Sequence, residues 1–270
     1  MAIKLGLIGV GAVGSAVAEA IQEGKAGDAR LVQVLVRSPQ KHAQDDGSRT
    51  WRLTADPDAF FSEPMDLVVE TAGHEAVRQY AVRTLRSGRD LLIISVGAFA
   101  EESLLRQIRE EANASGRRVL IPSGAIGGLD AITSAAVGGL EEVTIITRKP
   151  PRAWKGTVAE RRVDLSALAE PVCLYAGPAR EAAKLYPENV NVQAALALAG
   201  IGLDATRSAV YADPSVHHNT HEIAARGTFG EIRITISNLP SEASAKTGKI
   251  VAMSVIKAIR NLTSSFVVGI

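Results

Sequence analysis

The feature that most limits what this chain can fold into is Gly9-Val10-Gly11-Ala12-Val13-Gly14, set directly after the apolar run Lys4-Leu5-Gly6-Leu7-Ile8. A helical pattern follows, with Gly14, Val17, Ala18 and Ile21 on one face and Glu19, Gln22 and Glu23 on the other. Strand, glycine turn and helix form the context in which G-x-G-x-x-G reads as a dinucleotide-binding fingerprint. Each glycine has its own task. Gly9 permits the tight turn, Gly11 lets a pyrophosphate reach the backbone, and Gly14 lets the helix lie close to the strand. The first-turn N–H groups around Ala12 and Val13, at the positive end of the helix dipole, then face the phosphates. A glycine turn with a purely structural role is the alternative.

The segments that follow repeat one alternation. Leu31-Val32-Gln33-Val34-Leu35-Val36 is a continuous apolar strand of the kind a parallel sheet buries on both faces. Asp66-Leu67-Val68-Val69-Glu70-Thr71-Ala72-Gly73 is another, followed by a helix that carries Ala76, Tyr80, Ala81 and Leu85 and stops at Gly88. Strands at residues 91–97 and 118–122 flank a charged amphipathic helix over 101–113. Such βαβα order predicts an α/β fold, a Rossmann-type parallel sheet with helices on both faces. Ligands of these sheets bind beyond the carboxyl ends of the strands. That rule puts residues 70–73, including the small Ala72, with 95–98 and 123–128, around a nicotinamide ring.

The residue ending the second strand bears on the choice between NAD and NADP. An Asp or Glu there holds a ribose 2′-hydroxyl, whereas a nearby Arg accommodates a 2′-phosphate. This chain has Arg37-Ser38, and Asp45 and Asp46 lie well into the next segment. Arg37 therefore either admits NADP, or only stacks on adenine or faces solvent.

Beyond Gly127-Gly128 the pattern becomes α+β. A helix is expected over 129–138 and an alternating strand of an antiparallel sheet over 142–149. Short strands are expected at 172–175 and 206–212, and helices at 181–185 and 192–199. A hairpin turns around Arg226-Gly227-Thr228-Phe229-Gly230, and the last helix spans about 247–260. The expected division is a dinucleotide-binding domain of residues 1–124, completed by a C-terminal helix in about 245–270, and an α+β domain of residues 125–244. An open sheet in the second domain suits a partner copy, so a homodimer is expected.

Composition excludes several classes of partner. Thirty Lys and Arg against 29 Asp and Glu leave a net charge of +1, which suggests neither nucleic acid nor an anionic membrane surface. No apolar run approaches the roughly 20 residues needed to cross a bilayer. One cysteine, Cys173, precludes an internal disulfide and fits a reducing cytoplasm.

Three of the five histidines fall in Asp213-Pro214-Ser215-Val216-His217-His218-Asn219-Thr220-His221-Glu222-Ile223. Neither cysteine nor H-E-x-x-H accompanies them, so no metal is expected. His221 is the best acid–base candidate. On a strand it shares a face with Asn219 and Ile223, while Glu222 points away. Asn191 opens an Ala- and Leu-rich helix, where it either caps the helix or hydrogen-bonds the nicotinamide carboxamide or substrate. Arg148, Lys149 and Lys246, near expected loop ends, are candidate carboxylate holders beside their ordinary reading as surface charge.

Several stretches together resemble the L-aspartate dehydrogenases. They are the glycine loop, Ser123-Gly124-Ala125-Ile126-Gly127-Gly128-Leu129-Asp130, Thr147-Arg148-Lys149-Pro150-Pro151, and Asn189-Val190-Asn191-Val192. The histidine segment and Asn238-Leu239-Pro240 with Lys246-Thr247 complete the set, in the family's order. The resemblance implies that His221 is the catalytic histidine and that Ala125 and Asn191 contact the cofactor. It implies NAD or NADP as cofactor, L-aspartate and iminoaspartate as substrate and product, and a role in NAD biosynthesis. Arg37-Ser38 departs from the acidic residue of strictly NAD-using relatives. The alternatives are another two-domain reductase, of the dihydrodipicolinate reductase or homoserine dehydrogenase type, and a non-catalytic dinucleotide-binding sensor.

Overall fold

The computed structural model describes residues 2–42, 49–187, 191–241 and 244–269, with the side chains of 244–247 excepted. The chain divides into two compact units, Met1–Pro122 with Val251–Ile270, and Ser123–Ile250.

The first unit is built on β1 (Ile3–Ile8), α1 (Ala12–Gln22), β2 (Ala29–Leu35), β3 (Arg52–Thr54), α2 (Pro57–Ser62) and β4 (Leu67–Glu70). α3 (His74–Arg86), β5 (Asp90–Ile93), α4 (Glu102–Ser115) and β6 (Val119–Leu120) follow. The strands form one parallel sheet in the order β3-β2-β1-β4-β5-β6, the doubly wound dinucleotide-binding order. Its topological switch lies between β1 and β4, where the order reverses. The expected α/β fold is observed. β3 and α2 are additions, in a stretch whose apolar pattern is too short to announce them. α2 is nevertheless specified locally: Pro57 opens it, and Asp56 caps it by accepting from the Asp58 N–H at 2.8 Å.

Leu5, Leu7, Val17, Leu31, Val34, Leu67, Val69 and Leu92 make the core of this unit. α8 (Ile250–Thr263) contributes Val255 and Ile259 to the same core, both fully buried. The segment just before α8 does not belong to this unit, although the sequence reading placed residues from 245 there. β13 (Ser244–Gly248) pairs with β12 (Pro240–Ser241), and the Lys249 N–H donates to the Leu239 carbonyl at 3.0 Å. Those backbone bonds tie it to the second unit.

The second unit holds α5 (Leu129–Gly138), β7 (Leu140–Lys149), β8 (Val172–Pro178), α6 (Ala179–Leu185), α7 (Asn191–Ala199), β9 (Arg207–Ala212), β10 (Asn219–Gly227) and β11 (Gly230–Asn238). Its main sheet runs β11-β10-β7-β9-β8. β7 was expected in an antiparallel sheet. It is antiparallel to β10 but parallel to β9, so the sheet is mixed. The reason is topological: β8, α6 and α7 intervene between β7 and β9, which leaves enough chain for a crossover. One sheet face is apolar, with Val143, Ile145, Ile223 and Ala225 packed on Ile132, Val192 and Leu196 of α5 and α7. Ile146, Tyr211, Thr220 and Glu222 on the other face are half-buried.

Ile259→Ala removes a fully buried side chain of α8 and is expected to cost about 3 kcal/mol. Urea unfolding of the full chain should show a lower midpoint, and an unchanged midpoint would mean that α8 does not complete this core.

Candidate active site

In the first unit, β1 runs through Gly9 into α1. Gly9 has φ +90°, a left-handed conformation that disfavours a side chain, and a Cβ there would lie 2.7 Å from the Ala72 Cβ. A Cβ on Gly14 would strike the Gly9 carbonyl and lie 2.6 Å from Thr71 Oγ1. Thr71 secures the same turn, its hydroxyl donating to the Gly9 carbonyl at 2.8 Å. Gly11 differs from both. It is exposed, and a Cβ there would meet no protein atom within 4 Å. α1 begins with Gly11 as N-cap, without a side-chain cap or an acidic residue in its first turn. Its leading N–H groups are thus open to an outside acceptor. Tight contact at Gly9 and Gly14 with open space at Gly11 fits a bound pyrophosphate. Ala12 opens the helix, and Val13 turns into the core. Arg37 is exposed just past β2.

Glu70, at the carboxyl end of β4, was expected as one of the residues 70–73 around the nicotinamide ring, with no role of its own. It is 1 % exposed. Its Oε1 accepts from the N–H groups of Ala72 and Gly73 at 2.7 and 2.8 Å and from Ser95 Oγ at 2.9 Å, and Oε2 accepts from the Ser95 N–H at 3.1 Å. Burial pushes its carboxyl above the usual range, against those hydrogen bonds. Glu70 therefore shapes the loops after β4 and β5. A lone carboxylate closing an apolar strand was the signal for it.

In the second unit, β10 alternates as expected: Asn219, His221 and Ile223 are buried, and Thr220 and Glu222 lie on the other face. His221 is 2 % exposed and sits opposite Thr147 of β7. Its Nδ1 lies 2.9 Å from Thr147 Oγ1, which also accepts from Gln193 Nε2 at 2.9 Å. Nε2 makes no hydrogen bond to the described residues. Burial first, and the charge of Lys149 second, push the imidazole down to about 3. The ring is therefore neutral at physiological pH, the form in which an imidazole can accept a proton.

Lys149 shares the His221 face of β7. It is 3 % exposed, with Nζ 5.5 Å from the Trp154 ring centroid. Arg148 points the other way. Its Nε donates to Glu222 at 2.9 Å, its Nη1 to Asp213 at 3.3 Å, and its guanidinium stacks on Tyr211. Strand alternation thus separates Arg148 from His221, and two carboxylates already occupy it. Asn219 is buried on the His221 face. Asn191 opens α7, half-buried, and the Ala125 carbonyl accepts from Asn238 Nδ2 at 2.7 Å. The Lys246 side chain lies outside the described residues. His217 is exposed, away from a shared site with His221, and among the described residues no group of three metal-binding side chains comes together. Sequence reasoning did not single out Thr147 as a functional residue, nor Gln193. Gln193 had a signal, as the one polar residue inside the apolar run of α7.

Residues 130–262 match the family described as aspartate dehydrogenase, C-terminal, and residues 9–122 match the one described as homoserine dehydrogenase, NAD binding domain. The chain is 40 % identical to an L-aspartate dehydrogenase of Ruegeria pomeroyi, over 96 % of this chain and 92 % of the relative. It is 36 % identical to one of Methanocella arvoryzae, over 98 % and 99 %. Among solved structures it is similar to aspartate dehydrogenase from Thermotoga maritima, with TM-score 0.78, 28 % identity and full coverage of both chains.

The glycine geometry separates two substitutions. Gly11→Ala should leave stability within about 0.5 kcal/mol of the parent while weakening NADH and NADPH binding about tenfold or more. Gly14→Ala should instead cost about 1–3 kcal/mol through overpacking. Urea melts and fluorescence titration read both, and equal behaviour of the two would contradict the open space at Gly11.

Proposed function

This chain belongs to the L-aspartate dehydrogenase family, its activity is the NAD(P)-dependent oxidation of L-aspartate, and on that premise we propose which side chains carry the reaction. The observation behind the assignment is a buried, neutral imidazole with one nitrogen held by Thr147 and the other without a partner among the described residues. Bound nicotinamide supplies a hydride acceptor for the aspartate α-carbon. His221 takes the proton released as the C–N bond becomes an imine. Once that proton has passed to solvent, the neutral ring activates the water that splits iminoaspartate into oxaloacetate and ammonia.

Lys149 and Asn219 are the proposed substrate contacts, because both are buried on the histidine's face. An aspartate carboxylate beside Lys149 would offset the positive charge that helps depress the imidazole, so substrate binding would make His221 a stronger base. Arg148 is left to its ion pairs. Gly9, Gly11, Ala12, Val13 and Gly14 are the proposed pyrophosphate cradle, with Ala72 beside it. Ala125 and Asn191 are cofactor contacts by the family resemblance.

Three broader readings belong to the same proposal. Iminoaspartate feeds pyridine nucleotide synthesis. Two copies associate through the half-exposed face of the second unit's sheet. The enzyme works in the cytoplasm, which suits its single, exposed cysteine. No described helix is long and apolar enough to cross a membrane.

His221→Ala should lower kcat by about two orders of magnitude or more without weakening cofactor binding. Near-normal turnover would remove the assignment. Arg37→Asp should lower the NADP-to-NAD ratio of kcat/KM by about tenfold or more. An unchanged ratio, from initial rates with each cofactor, would mean that the 2′-phosphate is held elsewhere.

A further inference from the structure

Thr147 Oγ1 stands 2.9 Å from His221 Nδ1 and 2.9 Å from Gln193 Nε2. The three side chains are 0 %, 2 % and 0 % exposed, in that order, so water does not complete their hydrogen bonding freely. Among the described residues the Thr147 hydroxyl has no other partner. A threonine hydroxyl has one proton to give and two lone pairs to offer. The chain Gln193–Thr147–His221 therefore has a direction.

With Gln193 Nε2 donating to Thr147, the hydroxyl proton goes to His221 Nδ1. The imidazole then carries its own proton on Nε2 and can only donate there. A half-turn of the Gln193 carboxamide reverses every bond. His221 Nδ1–H then donates to Thr147, Thr147 donates to Gln193 Oε1, and Nε2 keeps a bare lone pair. The oxygen and nitrogen of a carboxamide are nearly the same size, so both orders fit one set of heavy-atom positions. Among the described residues nothing else holds the amide: Gln193 Oε1 is buried without a hydrogen-bond partner there.

We propose that Gln193 is a positioning residue that sets the tautomer of His221 through Thr147, and that the working order is His221 Nδ1–H to Thr147 and Thr147 to Gln193 Oε1. The inference rests on the reading of His221 as the base. In this order the bare Nε2 receives the substrate proton while Nδ1–H stays donated. The hydroxyl and amide dipoles already present their negative ends to the imidazolium, so no bond in the chain is rearranged as it forms. In the opposite order the same proton meets an N–H.

Two-bond 1H–15N correlation on the full-length protein with 15N-labelled histidine reads which ring nitrogen carries the proton. The His221 signals are those missing from His221→Asn. The expected spectrum shows protonated Nδ1 and bare Nε2. Gln193→Leu leaves the Thr147 hydroxyl no acceptor except Nδ1. It should move the proton to Nε2 and lower kcat about tenfold or more, with KM for aspartate within about twofold of the parent. Thr147→Ser should keep tautomer and rate, and Thr147→Val should lose both. A protonated Nε2 in the unmodified protein overturns the proposal, as does a Gln193→Leu protein with unchanged tautomer and kcat. If Gln193→Leu fails to fold, the parent spectrum and the Ser/Val pair decide alone. Normal turnover by His221→Ala would instead remove the base reading itself, whereas loss of turnover there with an indifferent Gln193→Leu removes only the relay.

Discussion

Glu70 and His221 are both almost wholly withdrawn from water, and each must find its hydrogen-bond partners inside the protein. An ionisable group left unpaired in such a place costs several kcal/mol, about the scale of a domain's net stability. Each unit answers the demand with its backbone. The first folds the turns after β4 and β5 so that three N–H groups and one hydroxyl converge on the Glu70 carboxylate. The second sets β10 against β7 in the one register that places Thr147 beside His221, and lays α7 so that Gln193 reaches the same hydroxyl. A slip of one residue in that pairing would turn His221 to the opposite face.

The two solutions differ in what they leave open. Glu70 is saturated with donors, so it serves as a fixed post around which the strand-end loops are shaped. Among the described residues His221 is held at one nitrogen only. Its depressed proton affinity is the cost of burial, increased by Lys149. A group kept neutral in this way has a lone pair to offer and adds no second cation beside Lys149. Close packing plays the matching role in the glycine loop. Helix α1 approaches the end of β1 until no side chain fits at Gly14, and Ala72 closes the space at Gly9, yet the backbone at Gly11 stays bare.

Much of this was legible in local sequence. The glycine loop after an apolar strand, the alternation of buried strands with amphipathic helices, and the 219–223 face of β10 all follow from neighbours a few residues apart. Such patterns depend on backbone periodicity alone. β3 escaped notice because three residues carry no period. Arg148 was grouped with Lys149 and Lys246 because all three are cations near expected loop ends. Alternation sends Arg148 and Lys149 to opposite faces, and only the positions of Asp213 and Glu222 show where the guanidinium is spent.

By itself the sequence determined that a dinucleotide fold opens the chain, that an α+β unit follows, and that His221 lies on a buried strand face. Those are consequences of period, turn chemistry and the size of glycine. Tertiary structure alone decided that β7 has one antiparallel and one parallel neighbour, and that the segment just before the last helix pairs within the second unit. It alone joined Thr147 to a histidine 74 positions away and to a glutamine 46 positions away. Contacts at that separation are set by strand register and helix docking, which depend on the whole core at once and leave no local period to read.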